Sequence, residues 1–485
     1  MNTYIAIDIG ASSGRLIISS INEENKIMME EIHRFKNGFS KKGRYDCWEI
    51  DYLIQEILVG LEKVKNRGIT SCHVGIDTWA VDYCLVNNSG ERIGEPISYR
   101  DSRTNNAVTN LSKKISLEKL YEKTGVQIQP FNTIFQLFVE ERQVLDQADK
   151  LLLIPDYLGY VFTGKMVTEK TNASTMQLLN ANTKHWDADL LKLIGVTENL
   201  FPPLVDAGTI LGQMQKDKFP EFDLPDATFV SVASHDTASA VLGTPGESSN
   251  WAYISSGTWS LLGVETNVIN VHQDAFLANY TNEWGAHNSI RFLKNIMGMW
   301  LIQEVARSQN YTHSYPELAD LASQAVPYQQ FIDVNDGRFL NPVNMIEEIQ
   351  EYCKITNQIV PKTAGEIARC IYDNLALCYA LELEKLTKLS GTDQKIKRLH
   401  IVGGGSNNQF LNQLTANLTG TIVEAGPSEA TAIGNIVMQM IASEEVTDIP
   451  AARKLIKNSF EFTVHKPERN DETILEKYKQ FIEEV

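Results

Sequence analysis

Residues 4–20 read YIAIDIGASSGRLIISS: an apolar run, a turn of small residues from Gly10 to Gly14, and a second apolar run after Arg15. Residues 253–265, YISSGTWSLLGVE, repeat that plan with Ser255, Ser256, Gly257 and Thr258 at the turn. Two strand-turn-strand units about 250 residues apart predict a duplicated α/β architecture, with one hairpin per domain facing a shared cleft. Length agrees, since 485 residues exceed one ordinary core and the 43% apolar content can fill two. The turn-rich LGTPGESS, 242–249, suggests the boundary, giving domains 1–245 and 246–485.

Small residues in a turn let backbone approach a ligand closely, so each hairpin can offer N–H groups and hydroxyls to phosphate oxygens. An ordinary hairpin turn is the competing reading. It does not account for Asp8, a carboxylate between apolar neighbours that needs a partner, such as a metal ion or its waters.

A second key stretch is TFVSVASHDTASAVLG, 228–243. Phe229 to Ala233 reads as a buried strand, Ser234 and His235 as a turn, and Asp236 as the start of a helix of small residues. A carboxylate there can take a proton from a substrate hydroxyl, or can simply cap the helix. HVGIDTWAVDYCLV, 73–86, reads as strand, turn and strand; Trp79 with Arg100, Asp101 and Arg103 suits a sugar, or equally a packed ring and a surface ion pair. Asp156, after Pro155, needs no more than a capping role. Asp51–Lys65 carries apolar residues at helical spacing. So does the run from Thr363 to Leu389, where Glu366 completes a capping box. KNIMGMWLIQEVARS, 294–308, reads as a helix bearing Asn295 and Gln303 near one face. Gly403 to Gly405 follow an apolar strand, where backbone can lie against a flat or phosphorylated ligand. No G-K-[ST] occurs, which excludes the P-loop class.

With 44 Lys and Arg against 61 Asp and Glu, the net charge is −17, and no basic block exists to track a phosphate backbone. Nucleic acid is therefore not an expected partner. No apolar run reaches the roughly 18 residues of a membrane span, and the start of the chain lacks a basic leader, so a soluble, cytoplasmic protein is expected. Six scattered cysteines, without zinc spacing, read as buried thiols, with Cys353 and Cys370 the one pair that could be bridged.

Taken together, IDIGASSGR (7–15), EIHRF (31–35), GIDTWAVD (75–82), YRDSRT (99–104), PFNT (130–133), ASHDTASAV (233–241), SSGTWSL (255–261), KNIMG (294–298) and IVGGG (401–405) resemble the FGGY carbohydrate kinase family of the actin-like ATPase superfamily. The likeness is nearest to its rhamnulose-phosphorylating branch and runs almost end to end. It implies two actin-like (ribonuclease H-like) domains with a catalytic cleft between them, the first holding sugar and base and the second ATP. It further implies transfer of the ATP γ-phosphoryl group to O1 of L-rhamnulose, with Mg²⁺. By position, Asp236 becomes the general base and Asp8 the acid facing the metal. Ala11, Ser12, Ser13, Gly14, Arg15, Thr258, Gln303 and Gly404 become ATP contacts, and Ala80, His235, Asp236, Thr237 and Asn295 sugar contacts. Ala80 departs from the glycine common in that branch. A kinase for another ketose such as fuculose or xylulose shares every ATP element; an actin-like or chaperone-like ATPase would not need TWAVD, YRDSR and ASHD together.

Overall fold

The computed structural model describes residues 2–247, 250–391, 396–469 and 471–485; Gly246 and Glu247 of the expected boundary are included, while residues 248 and 249 lie outside the described residues. The chain forms two compact units. The first combines Met1–Pro245 with Glu265–Phe292 and Ala430–Ser459, and the second combines Gly246–Val264, Leu293–Glu429 and Phe460–Val485.

The first unit is built on strands β1 (Tyr4–Ile9), β2 (Ser13–Ile21), β3 (Ile27–Lys36), β4 (Ser71–Thr78), β5 (Thr209–Gln213) and β6 (Asp226–Ser231), in the order β5-β6-β4-β1-β2-β3. β1 runs antiparallel to β2 and parallel to β4, and β4 runs parallel to β6. The second strand begins at Ser13 rather than after Arg15, because Gly14 pairs with Ile9 and Arg15 with Asp8 across the hairpin. Every residue of β1 is buried, as a central strand covered on both faces requires. One cover is helix α1 (Ile50–Asn66), whose Leu53, Ile57, Leu58, Leu61 and Val64 form the buried stripe that its spacing predicts. Tyr83–Val86, the second strand read in residues 73–86, pairs with Lys150–Leu153, the strand that leads into helix α2 (Ile154–Thr163). Helix α3 (Asp236–Leu242) follows β6.

The second unit repeats the plan. Strands β7 (Trp251–Ser256) and β8 (Trp259–Thr266) form its antiparallel hairpin. β9 (Ile290–Met297) lies outside β8, while β10 (Arg398–Val402), β11 (Ile422–Ala425) and β12 (Thr463–His465) extend the sheet from β7. β7 runs parallel to β10 and β10 parallel to β11, as β1, β4 and β6 do in the first unit. Residues 294–308 are not one helix: β9 runs to Met297, Gly298 breaks the run, and helix α4 (Trp300–Ser308) starts beyond it. The break is physical, since a side chain at Gly298 would lie 2.5 Å from Ser260 Oγ. Asn295 therefore stands on a strand and Gln303 on a helix. Helix α5 (Ala364–Leu389) carries the expected Thr363/Glu366 capping box. Helix α6 (Ala430–Ala442) returns the chain to the first unit. All six cysteines are buried free thiols, and hydrogen bonding to Cys370 draws the Cys353 thiol below its usual range.

Candidate active site

In the first unit, parallel β1, β4 and β6 end side by side, the edge at which α/β sheets collect ligands. Asp8 is the penultimate residue of β1. Arg15, directly across the hairpin, donates to its Oδ2 from Nη2 at 2.8 Å and from Nε at 3.1 Å. Asp77 is the neighbour of Asp8 on β4 and is fully buried. Asn435 of α6 donates to Asp77 Oδ2 at 2.6 Å, while Oδ1 has no hydrogen-bond partner among the described residues. Burial, then the nearby charge of Asp8, pushes the Asp77 carboxyl well above the usual range.

The turn after β6 is pinned on two sides. Thr78 N donates to Ser234 O at 2.9 Å, and Ser234 N and Oγ donate to Glu169 Oε2 at 3.2 and 2.9 Å. Glu169 is itself buried and also accepts from Thr171 N, Thr171 Oγ1 and Asn172 N. The N-cap position of α3 falls to His235, so Asp236 is the first helical residue and not the cap. Its Oδ1 accepts from Thr237 N at 2.5 Å and from Thr237 Oγ1 at 3.1 Å; no described residue hydrogen-bonds to Oδ2. Burial raises the Asp236 pKa; the adjacent His235 lowers it in part, and the charge of Asp8 raises it again. One carboxylate oxygen is thus held by donors while the other accepts from no described residue.

Ala80, half-buried, lies between Trp79 and a backbone outlier, Val81, at φ 67°. A β-branched residue in the left-handed region is strained, and here the bond from Thr133 Oγ1 to Val81 O (2.7 Å) fixes it. Trp79 is buried against Trp48, with ring centroids 4.1 Å apart. Both indoles donate to Asp82 Oδ2, at 3.0 and 2.6 Å, and Gln136 donates to Oδ1 at 2.9 Å. Despite these donors, burial moves the Asp82 carboxyl up to about 6. Arg103 pairs with Glu140 at 2.8 Å, and Asp101 accepts from the backbone N–H of Asp46 and Arg103. Trp79, Asp101 and Arg103 thus have packing or hydrogen-bond partners within the protein. Asp156 is not a cap: buried in the first turn of α2, it accepts from Glu169 N at 3.3 Å, and burial with the neighbouring Glu169 charge raises its pKa well above normal.

In the second unit the β7–β8 turn is held by bonds from the break before α4: Gly298 N and Trp300 N donate to Thr258 O at 3.2 and 3.1 Å, and Met299 N donates to Gly257 O at 3.1 Å. Gln303 lies one turn into that helix, half-buried. The glycine loop after β10 lies flat on the same turn, since a side chain on Gly405 would meet Ser256 Oγ at 2.0 Å. Gly404 is exposed, with open space where a Cβ would be. The second unit therefore brings Thr258, Gly404 and the start of the Gln303 helix to one sheet edge, with Asn295 on β9. Asp8, Ala11 to Arg15, Ala80 and His235 to Thr237 belong to the first unit.

Models of the FGGY family of carbohydrate kinases match the chain twice, the N-terminal domain over residues 3–243 and the C-terminal domain over residues 252–443. The chain belongs to the FGGY family of carbohydrate kinases. It is 62% identical to a rhamnulokinase of Enterococcus faecalis over 480 residues, 99% of this chain and 97% of that protein. It is 52% identical to a rhamnulokinase of Bacillus subtilis over 480 residues, 99% of this chain and 98% of that protein. A ligand-bound xylulose kinase from Lactobacillus acidophilus superposes with a TM-score of 0.81 at 14% identity, covering 100% of this chain and 96% of that chain. The two-unit α/β fold is accordingly the actin-like fold of FGGY kinases. Asp77 and Glu169 were not singled out by the sequence. For Asp77 a signal existed, because VGIDT repeats the strand-and-acid pattern of IAIDIG.

Proposed function

We propose that this FGGY kinase transfers the γ-phosphoryl group of ATP to the 1-hydroxyl of L-rhamnulose, giving L-rhamnulose 1-phosphate and ADP in the cytoplasm. The observation that carries this reading is Asp236, fixed at the head of α3 with Oδ1 held by Thr237 and Oδ2 available. Full-length relatives named rhamnulokinases support the choice of sugar. Asp236 accepts the hydroxyl proton as the oxygen attacks, and its raised pKa brings it nearer to working pH. Ala80, His235, Thr237 and Asn295 hold the sugar; Ala11 to Arg15, Thr258, Gln303 and Gly404 hold ATP. Phosphoryl transfer asks mainly for alignment and charge stabilisation, which main-chain N–H groups of small-residue turns supply.

Mg²⁺ fits the first-unit residues. The charges of Asp8 and Asp236 raise the Asp77 carboxyl and that of Asp8 raises Asp236, an excess of negative charge on hard oxygen donors that a divalent cation offsets. Among the described residues no group of three or more His, Cys, Asp or Glu is set to enclose a metal. Asp8 would hold the ion through its waters, and the ion would supply neutralisation of phosphate charge.

The test is ADP release with Mg²⁺ and ATP across L-rhamnulose, L-fuculose, D-xylulose, L-ribulose and glycerol, with a no-sugar control. A clear preference for L-rhamnulose is expected. Another ketose winning would overturn the sugar and keep the kinase, and sugar-independent hydrolysis alone would overturn both.

A further inference from the structure

Beside the base lies a charged group that the reading so far does not use. Arg291 is fully buried, and Glu283 is nearly so. Arg291 Nε donates to Trp284 O at 3.2 Å and its Nη2 lies 3.0 Å from Glu283 Oε2, so the guanidinium is held at both ends. From that position Nη2 also reaches His235 Nδ1 at 3.2 Å. On the far side of the ring, His235 Nε2 lies 3.4 Å from Asp236 Oδ1. All four side chains belong to the first unit.

Elementary chemistry fixes the proton. A guanidinium has five donors, no lone pair to offer and a pKa above 12, so the imidazole nitrogen that faces it must accept. Nδ1 then carries the lone pair, and the hydrogen is on Nε2, the nitrogen 3.4 Å from Asp236 Oδ1. Glu283 Oε2 stands 3.4 Å from the same Nδ1 and would favour the opposite tautomer, but Arg291 is closer to the ring and neutralises that carboxylate. Burial raises the Glu283 carboxyl, yet the Arg291 charge holds it below its usual range, so it remains the anion that clamps the guanidinium.

We infer that Arg291 and Glu283 are positioning residues that lock His235 in the Nε2–H tautomer, so that its N–H joins the two Thr237 donors on Asp236 Oδ1 and leaves Oδ2 as the single proton acceptor. The inference deepens the kinase reading and rests on it for its consequence in turnover; the tautomer itself does not depend on that reading. Asp236 gains selectivity between its two oxygens, and the base is aimed by hydrogen bonds instead of being free to rotate.

The experiment combines spectroscopy and kinetics on the full-length protein. With ¹⁵N-histidine labelling and His235 assigned from a His235→Gln sample, the ring-nitrogen shifts of the wild type are expected to show Nε2 protonated. In Arg291→Met, Glu283 faces Nδ1 alone and the Nδ1–H form becomes populated. The kcat falls roughly 10- to 100-fold, as for other groups that orient a functional imidazole, while KM for ATP is unchanged. Arg291→Lys, which keeps one donor toward Nδ1, restores the tautomer and much of kcat. A wild-type His235 protonated on Nδ1, or an unchanged tautomer in Arg291→Met, overturns the proposal, and the wild-type spectrum decides even where the Met variant does not fold. Absence of sugar kinase activity in a wild type that shows the Nε2–H form would overturn the functional reading and leave the tautomer assignment standing.

Discussion

Helices α3 and α6 cross in close backbone contact at Ser239 and Gly243, in the helix that Asp236 begins. A Cβ on Gly434 of α6 would lie 1.8 Å from Ser239 O, the carbonyl that closes the last turn of α3 by accepting from Gly243 N at 2.8 Å. Since Cβ atoms essentially never come within 3.0 Å of another heavy atom, Gly434→Ala must part the helices by at least 3.0 − 1.8 = 1.2 Å. The obstacle is backbone, which cannot rotate away as a side chain can. Overpacking of this kind costs about 1–3 kcal/mol, and the severity of the clash places this case near 3. Alanine regains about 1 kcal/mol of helix propensity. The net is a loss of about 2 kcal/mol, which lowers the melting temperature by roughly 3 °C in a unit of this size. Turnover suffers more, because α3 begins at Asp236 and a displacement of about 1 Å costs on the order of 10²-fold in a positioned reaction. Thermal melting and ADP release with L-rhamnulose check both quantities, with Gly337→Ala, where a Cβ meets open space, as the neutral control. A Gly434→Ala protein with wild-type melting temperature and kcat would refute the reasoning.

Three further outcomes are expected. Asp236→Asn binds ATP and sugar but loses about 10²- to 10⁴-fold in kcat, read by calorimetry alongside steady-state rates. In the wild type, kcat falls on the acid side: the Asp236 pKa is raised, so the base is protonated and lost as pH drops through a value above the ordinary aspartate range of about 3.9. A pH–rate profile flat down to that ordinary value would contradict the assignment. Gly405→Ala, which would press on buried Ser256, raises KM for ATP, whereas the sugar KM stays near wild type; equal changes in both would show general damage instead.

The parts legible in the sequence are those whose physics is local. The two hairpins follow from apolar runs around small residues, α1 from its spacing, and α5 from a capping box four residues long. The β9–α4 stretch was misread because RFLKNIM and WLIQEVA are apolar at spacings that suit either element. Only Gly298 marks the change, and its reason is Ser260 in another strand. Asp156 looked like a cap because Pro155 precedes it, while its partner is the N–H of Glu169, 13 positions on. Of the site, Asp236 and Asp8 could be read from strand ends. Their supports could not: Glu169 is 65 positions from Ser234 and Arg291 is 56 from His235, and no local pattern links such pairs.

The bond from Asn435 to Asp77 spans 358 positions, and the one from Gln439 Nε2 to Ile5 O spans 434. Loops of that length close late and slowly. On the ribosome, β1 and β4 emerge long before the helix that satisfies their polar groups, so the half of the molecule made first waits with a buried-type carboxylate exposed until α6 has been synthesised. The catalytic unit is thus completed only by the last part of the chain. A product that stops short of residue 430 lacks the helix whose Asn435 and Gln439 hold Asp77 and the Ile5 carbonyl.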